Sequence, residues 1–492
     1  MPPQHILLQS HPRTQTGESN HPTTTTCLAL ATTIFALIPW FGYTNVTLAV
    51  TLTANCIFSG LLANQILLRS RNRTYQTVII YTLTLYLLFA YAWTPTLSQL
   101  PAMASGNNEF ALPPSLIEQT LPLGLAFLYG ALAAILTISE LARYVRPKLK
   151  GITTSTNLII TITAVSLTLK FVTQTYLDWG APGLDPKKNI PLVTGLVVMH
   201  SRVGVHYLTT VLLLLAFCRR TSGATTAIVS MLVASNMALD ALIGAKFSIV
   251  YSAASIVFCA IIAAMRYHTI KMASALSILL IASAGVIASY QAVHYYRFSR
   301  MSNPRGDITQ NANTAIKHTN QRSPNLITSS ATKIARRING FHNSVQAIRH
   351  AKRIQPEMRH FWDSKDLTSR FTMTMTGVRH TNHSIGMTQC GFFSIVSNNN
   401  TFLVTLLSFA FHAALLLAVF KAIERSTSTE ENAWVFGFCA ALLLLNIEFA
   451  GGDLFFYAKH FFVIYLAVQF TEKQLLYSQS SSQHDLPLPQ GY

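Results

Sequence analysis

The chain reads as an all-α polytopic membrane protein of about twelve transmembrane helices. Three observations predict it. Half of the 492 residues are hydrophobic and only 11% are charged, and the mean hydropathy is +0.36, which is too apolar for a soluble protein of this length. Apolar runs of span length recur along the chain. The Lys and Arg residues gather between those runs, on alternate sides.

A bilayer core takes about 20 mostly apolar residues per helix. Windows of that kind fall at 25–42, 45–68, 75–94, 119–142, 152–176, 190–217, 222–239, 245–265, 272–294, 401–420, 433–450 and 454–470. Basic side chains follow the even-numbered spans: Arg69, Arg71 and Arg73; Arg143, Arg146, Lys148 and Lys150; Arg219 and Arg220; Arg266 and Lys271; Lys421 and Arg425. The connection from Thr94 to Glu118 carries only the acids Glu109 and Glu118. By the positive-inside rule both termini are cytoplasmic. Lys187 and Lys188 run against the rule on an outer connection, although Asp178 and Asp185 lie beside them.

Residues 1–24 lack the basic start and small-residue cleavage site of a signal peptide, so a disordered cytoplasmic tail ahead of a retained first span is expected. Helices one to nine then occupy 25–296, a large loop 297–400, helices ten to twelve 401–470, and a second cytoplasmic tail 471–492. Cys27, Cys56, Cys218, Cys259, Cys390 and Cys439 show no metal-ligand or disulfide spacing and read as small core residues.

The loop at 297–400 is longer than a connector needs, and the alternation places it outside the cytoplasm. It is strongly basic, and long loops are exempt from the charge rule. From Asn325 to Met358 the pattern predicts two short helices around Asn339-Gly340, with Ser329 or Ser330 as N-cap and Pro356 as the stop. Ile334, Ile338, Val345, Ile348 and Ile354 supply the apolar contacts. Lys333, Arg336, Arg337, Arg349, His350, Lys352 and Arg353 make the opposite faces basic, and Arg359, Arg370 and Arg379 extend them.

For any one of these cations the plain reading is a solvated charge near lipid headgroups. Together they read as an anion site, because guanidinium groups bind phosphate through paired donors and stay charged. The excess of 36 Lys and Arg over 18 Asp and Glu fits membrane lipid and phosphorylated ligands; nucleic acid is not an expected partner.

Ionisable residues inside spans are expensive and mark sites or structural pairs. The MHSRVGVHYL stretch holds His200, Arg202 and His206, and Arg202 and His206 are spaced to share a helix face. Asp240 and Lys246 bracket one outer turn, and Glu448 and Asp453 bracket another. Ion pairing among them explains these charges as well as a shared pocket does. His206 alone reads as a core histidine.

Three stretches, ALDALIGAKFSIVYSAASIVF, RRINGF at 336–341, and GMTQCGFFSIVSNNN just before the tenth span, resemble bacterial oligosaccharide repeat-unit polymerases of the Wzy type. The resemblance covers the C-terminal half. It implies a GT-C-like core in the bacterial inner membrane and a metal-independent glycosyltransferase with its active site facing the periplasm. The enzyme would move a growing glycan from one undecaprenyl-pyrophosphate carrier to another lipid-linked repeat unit, without a cofactor. Carried onto this chain, Lys246 in GAKF and Arg337 in RRINGF would contact the donor pyrophosphate, and a chain-length co-polymerase would be a partner.

The residues themselves add Arg202 and Arg337 as electrophilic groups and His342 as a candidate base, with Asp453 and Glu448 as carboxylate alternatives. Arg336, Arg349, Arg353, Arg379, Lys246 and Asp453 complete the expected substrate contacts. No DxD-like pair offers oxygen ligands to a divalent ion. Three other readings compete: a transporter or flippase for a lipid-linked or anionic substrate, an O-antigen ligase, and a non-catalytic membrane subunit.

Overall fold

In lipid a chain must satisfy its backbone polar groups internally, and a long uncharged apolar run does so as a helix. The computed structural model describes residues 22–42, 45–70, 75–97, 114–142, 156–180, 187–218, 222–302, 310–311, 313–314, 317, 340–349, 388–427, 430–445 and 462–470. Every regular element among them is helical.

The helices that concern the site are α1 (Pro22–Leu37), α2 (Val46–Arg69), α3 (Tyr75–Leu87), α4 (Pro114–Ala142), α5 (Thr156–Tyr176), α6 (Pro191–Met199), α7 (Val205–Cys218), α8 (Gly223–Leu242), α9 (Lys246–Ile262) and α10 (Met272–Ser302). After them come α11 (Gly340–Arg349), α12 (Gln389–Val396), α13 (Thr401–Ser426) and α14 (Glu430–Leu445). A π-helical turn at His200–Gly204 joins α6 to α7, and others follow α3 at Leu88–Trp93 and α9 at Ala263–Tyr267.

Eight helical stretches among the described residues are long and apolar enough to cross a membrane: Val46–Arg69, Tyr75–Thr96, Ser115–Leu141, Thr156–Tyr176, Leu192–Cys218, Gly223–Leu242, Ser248–Met265 and Thr401–Ser426. Each matches one of the twelve windows. Three further windows correspond to shorter apolar helices, Thr25–Phe41, Met272–Val286 and Glu431–Leu444, and of the window at 454–470 only 462–470 is described, as helix. The protein is thus a polytopic helical membrane protein. Its outward side chains agree: Phe402 on α13, Ile281 on α10 and Met231 on α8 are about 70% exposed, as suits lipid and not water.

Hydrogen bonds at the helix ends fix which ends lie together. Arg69 closes α2 against Glu140 at the end of α4, at 2.6 Å, and Asn45 ahead of α2 donates to Glu118 near the start of α4 at 2.5 Å, so these two helices run parallel. Tyr81 near the start of α3 donates to the Leu67 carbonyl near the end of α2 at 2.9 Å, reversing the direction. Tyr251 near the start of α9 donates to the Leu442 carbonyl near the end of α14 at 3.5 Å. Thr269, after α9, donates to Phe217 at the end of α7 at 2.7 Å. The half-exposed Arg69–Glu140 pair is an orientation marker of small energy; Glu140→Gln is expected to lower stability by less than about 1 kcal/mol in thermal melting.

Close approach of helices rests on small residues. A Cβ on Gly130 of α4 would come within 2.6 Å of the Thr405 carbonyl of α13, and one on Gly60 of α2 within 2.6 Å of Thr32 of α1. The core between the helices is built from Leu, Ile, Val and Phe, with Tyr207, Phe436 and Leu128 among the fully buried side chains.

Candidate functional site

α5 carries a single charge, Lys170, in an otherwise uncharged helix, and the bundle closes over it. Lys170 is 1% exposed. Its Nζ donates to Asp240 Oδ1 and to Asn236 Oδ1, both at 2.7 Å. Asn236 and Asp240 are four apart on α8 and so present one face. On the other side His206 of α7 places Nε2 3.4 Å from Asp240 Oδ2. Asn236 Nδ2 lies 3.3 Å from His206 Nδ1, and Ser252 of α9 lies 3.5 Å from both of these nitrogens. Four helices therefore contribute to one buried centre.

The bonding pattern fixes the imidazole. Because the Asn236 carbonyl accepts from Lys170, its amide nitrogen is the group that faces His206, so Nδ1 is an acceptor. Neutral His206 then carries its proton on Nε2, directed at Asp240. Opposite charges this deeply buried gain from each other only while the geometry holds and the remaining polar atoms are satisfied.

The described residues on either side of the connection from α5 to α6, 177–180 and 187–190, bond to one another next to Arg202. Trp179 donates its indole N–H to the Lys188 carbonyl at 2.6 Å, Lys187 reaches Asp178 at 3.2 Å, and the Lys187 amide donates to Leu177 at 3.1 Å. Gly180 has φ of +76° with Val198 3.0 Å from where a Cβ would stand, a position that needs glycine. Arg202, in the π turn, donates to the Gly180 carbonyl at 3.0 Å. Its side chain is exposed whereas His206 is buried, so the expected shared face is divided: Arg202 turns outward to Gly180 and His206 inward to Asp240. Both Lys170 and Asp240 lie within electrostatic reach of Arg202.

A second construction involves the loop. α11 begins at Gly340 and docks by Phe341, 1% exposed, with Val345 beside it. The ring of Phe341 lies 3.0 Å from where a Cβ on Gly124 of α4 would be, so glycine there makes room for it. Ser344 of α11 bonds Thr388 at 2.7 Å, and Thr388 in turn caps α12 by accepting from Gly391 N at 3.2 Å. Cys390 reaches the Leu123 carbonyl of α4 at 3.7 Å. Two of the three stretches that carry the family resemblance thus meet on the starting half of α4. Phe341→Ala should cost about 3–5 kcal/mol of the contact that seats α11, read as protease cleavage between α10 and α12 at conditions where the parent chain is resistant.

Burial pushes the Cys390 thiol up to about 12, outweighing the opposing hydrogen bonds from Ser344 and Ser394. A thiol held protonated is a poor nucleophile. Maleimide at neutral pH should therefore leave Cys390 unmodified, as peptide mapping would show.

The Asn run before α13 has a structural task. Asn398 and Asn399 adopt left-handed backbone, φ +54° and +61°, which asparagine tolerates. Asn400 caps α13 by accepting from Phe402 N and Leu403 N at 3.1 and 3.3 Å.

Of the expected site residues, Arg202 lies beside the buried centre. Lys246 is the first residue of α9, following the turn in which Ala245 N donates to the Asp240 carbonyl at 2.8 Å. Its side chain is outside the described residues. The same holds for the side chain of His342, whose backbone is the third residue of α11. Arg349 closes α11 and is exposed. Arg336, Arg337, Arg353, Arg379, Glu448 and Asp453 lie outside the described residues. Asp240 is paired with Lys170 and His206 across the bundle, and His206 is the core histidine expected, buried and partnered by Asn236 and Ser252. Lys170, Asn236 and Ser252 went unnoticed in the sequence. One signal was there, a solitary lysine in a span. Neither family models, nor curated proteins, nor solved structures give a match to this chain.

Proposed function

We propose that this protein polymerises undecaprenyl-pyrophosphate-linked oligosaccharide repeat units by glycosyl transfer at the periplasmic face of a bacterial inner membrane, from a GT-C-like frame of twelve crossings. Donor pyrophosphate would be held by Arg337 and Arg336 ahead of α11, by Lys246 at the start of α9 and by Arg202. Arg349, Arg353 and Arg379 would extend the positive surface, with His342 or Asp453 as the group that takes the acceptor proton. Breaking the anomeric C–O bond puts negative charge on the departing pyrophosphate. Cations already in place stabilise that charge more in the transition state than in the ground state.

The observation that carries this reading is a convergence. The start of α4, against which α11 and α12 dock, lies at the same end of the bundle as the start of α9 and the end of α8. That follows from the parallel run of α2 and α4, the reversal into α3, and the pairing of α9 with α14. The described residues of all three resemblance-bearing stretches, of which RRINGF contributes Gly340 and Phe341, thereby reach one end, opposite the Arg69–Glu140 end.

Purified protein given a synthetic undecaprenyl-pyrophosphate oligosaccharide, without nucleotide sugar, should yield lengthened glycan on the lipid. Transfer to lipid A instead would mark a ligase. A second reading has an observation of its own: a buried Lys–Asp–His centre is what transporters place in their cores. Vesicle translocation of the intact lipid-linked substrate with no product would select that reading. Co-purification with a chain-length regulator would support the polymerase.

A further inference from the structure

Arg202 falls inside the span Leu192–Cys218, is exposed, and donates to the neutral carbonyl of Gly180 at 3.0 Å. An ionised group in such a stretch pairs with an opposite charge, a backbone carbonyl or water, and often marks a ligand path. The Gly180 carbonyl satisfies a donor of Arg202 but leaves its charge uncompensated. Two described carboxylates stand near it in the fold, and both are engaged elsewhere: Asp178 by Lys187 at 3.2 Å and Asp240 by Lys170 at 2.7 Å. His206, one turn after Arg202, faces the second oxygen of Asp240 at 3.4 Å. Asp240 therefore lies within electrostatic reach of the guanidinium while its two oxygens are directed at other groups. A pair as deeply buried as Lys170–Asp240 stabilises a bundle little more than apolar residues of the same volume would. What it does set is the charge: with His206 neutral the centre sums to zero, and the charge of Arg202 is left over.

We propose that Lys170 is a positioning residue for anion binding at Arg202: it holds Asp240, keeps that carboxylate from capturing the guanidinium, and so leaves Arg202 open to a phosphate group from outside the bundle. This rests on the polymerase reading, in which Arg202 meets the donor pyrophosphate, and deepens it by naming what keeps that arginine available. The physical step is a competition. Without the ammonium group, Asp240 is a buried and uncompensated charge, a penalty that outweighs the single Arg202–Gly180 bond. Arg202 has five N–H donors on a long stem and is the cation placed to move onto it. Capture pulls Arg202 away from Gly180 and recovers only part of the lost stability. A guanidinium so captured has its charge cancelled and its paired donors used, and its two-pronged grip on phosphate is lost.

Phenylglyoxal modification of detergent-purified protein, followed by peptide mapping, reads the state of this one side chain. In the parent Arg202 should react, and inorganic pyrophosphate should protect it. Lys170→Met should slow the reaction and raise the half-protecting pyrophosphate concentration by about tenfold or more, the effect of one uncompensated negative charge at close range. Asp240→Asn should do neither, with protection at the parental concentration or below. Lys170→Met/Asp240→Asn lacks the lysine yet restores the neutral sum, and both readings should return to the parental values. A lysine that only held the bundle together would not give this sign pattern, since Asp240→Asn disturbs the same packing as Lys170→Met.

Equal reactivity and protection in the parent and Lys170→Met overturns the proposal, as does failure of pyrophosphate to protect Arg202 in the parent. Where Lys170→Met alone does not stay folded, the double variant decides: weakened protection there means that the lysine does not act through Asp240, and the proposal falls. Its failure is distinct from that of the polymerase. Extension by a protein whose Arg202 pyrophosphate does not protect removes this inference and leaves the donor site to Arg337. Protection that follows this charge pattern in a protein that extends nothing keeps the anion site and removes the polymerase.

Discussion

Lys170→Met is expected to destabilise the bundle by about 3–5 kcal/mol, the typical cost of stripping one partner from a buried ion pair. The variant leaves Asp240 at 2% exposure with its Oδ1 unpaired and takes from Asn236 the donor that fixes its amide. In detergent the variant should melt well below the parent and elute partly as aggregate in fluorescence-detected size exclusion. Asp240→Leu on the same background should restore most of the loss, since a neutral apolar pair of similar volume removes the orphaned charge along with its partner. His206 then loses its carboxylate but not its contacts to Asn236 and Ser252. A single variant that melts with the parent would mean that water or another cation reaches Asp240, and the centre would not be the sealed pair described. If both the single and the double variant fold yet only the double one fails in extension, the charge serves the chemistry more than the fold.

The spans were legible because lipid leaves the chain so few choices. A run such as 46–68 or 401–420 holds no Asp, Glu, Lys or Arg and has too much apolar surface for water, so length and composition alone place it in a helix. The alternation of Arg and Lys at 69–73, 143–150 and 266–271 gave an orientation for the same reason. What joins the helices was hidden. Lys170 and Asp240 are 70 residues apart, and nothing in either local pattern says that α5 and α8 meet. Asp240 has Lys246 as a nearer neighbour in sequence, and no local signal pointed past it to Lys170. Arg202 and His206 share a helical spacing, but spacing cannot tell that a long guanidinium reaches back to the Gly180 carbonyl while an imidazole one turn on stays inside. In the loop, Val345 and Ile348 were read as apolar contacts and do lie on the buried side of α11. Phe341 was read only as part of a motif, and it is the residue that seats the helix.

Arg337→Ala is expected to lower glycan extension by about 100- to 1,000-fold, the usual effect of removing one preorganised donor from a developing anion. The argument runs through α11. Phe341 and Val345 hold its first turns on α4, so the backbone at Gly340 has a fixed place, and Arg337 stands three residues ahead of it, within about 10 Å of extended chain. On the polymerase reading, a guanidinium on so short a tether would be aimed at the donor pyrophosphate from the seat of α11. Membrane insertion and melting temperature should therefore stay at the parental values while product disappears. Arg337→Lys should recover a part only, because a point charge replaces a two-pronged donor. Arg349→Ala, nine residues along α11 from Gly340 and on its exposed end, should cost no more than about tenfold, in keeping with a charge that attracts substrate but does not touch the departing oxygen. Phe341→Ala should behave like Arg337→Ala in the extension assay although it removes no charge, since an unseated α11 can no longer aim the arginine. Normal extension by Arg337→Ala would move the donor site elsewhere, with Arg202 and Lys246 the next to be replaced. If those variants also extend normally, the positive end of the bundle serves lipid contact alone, and glycosyl transfer is not its chemistry.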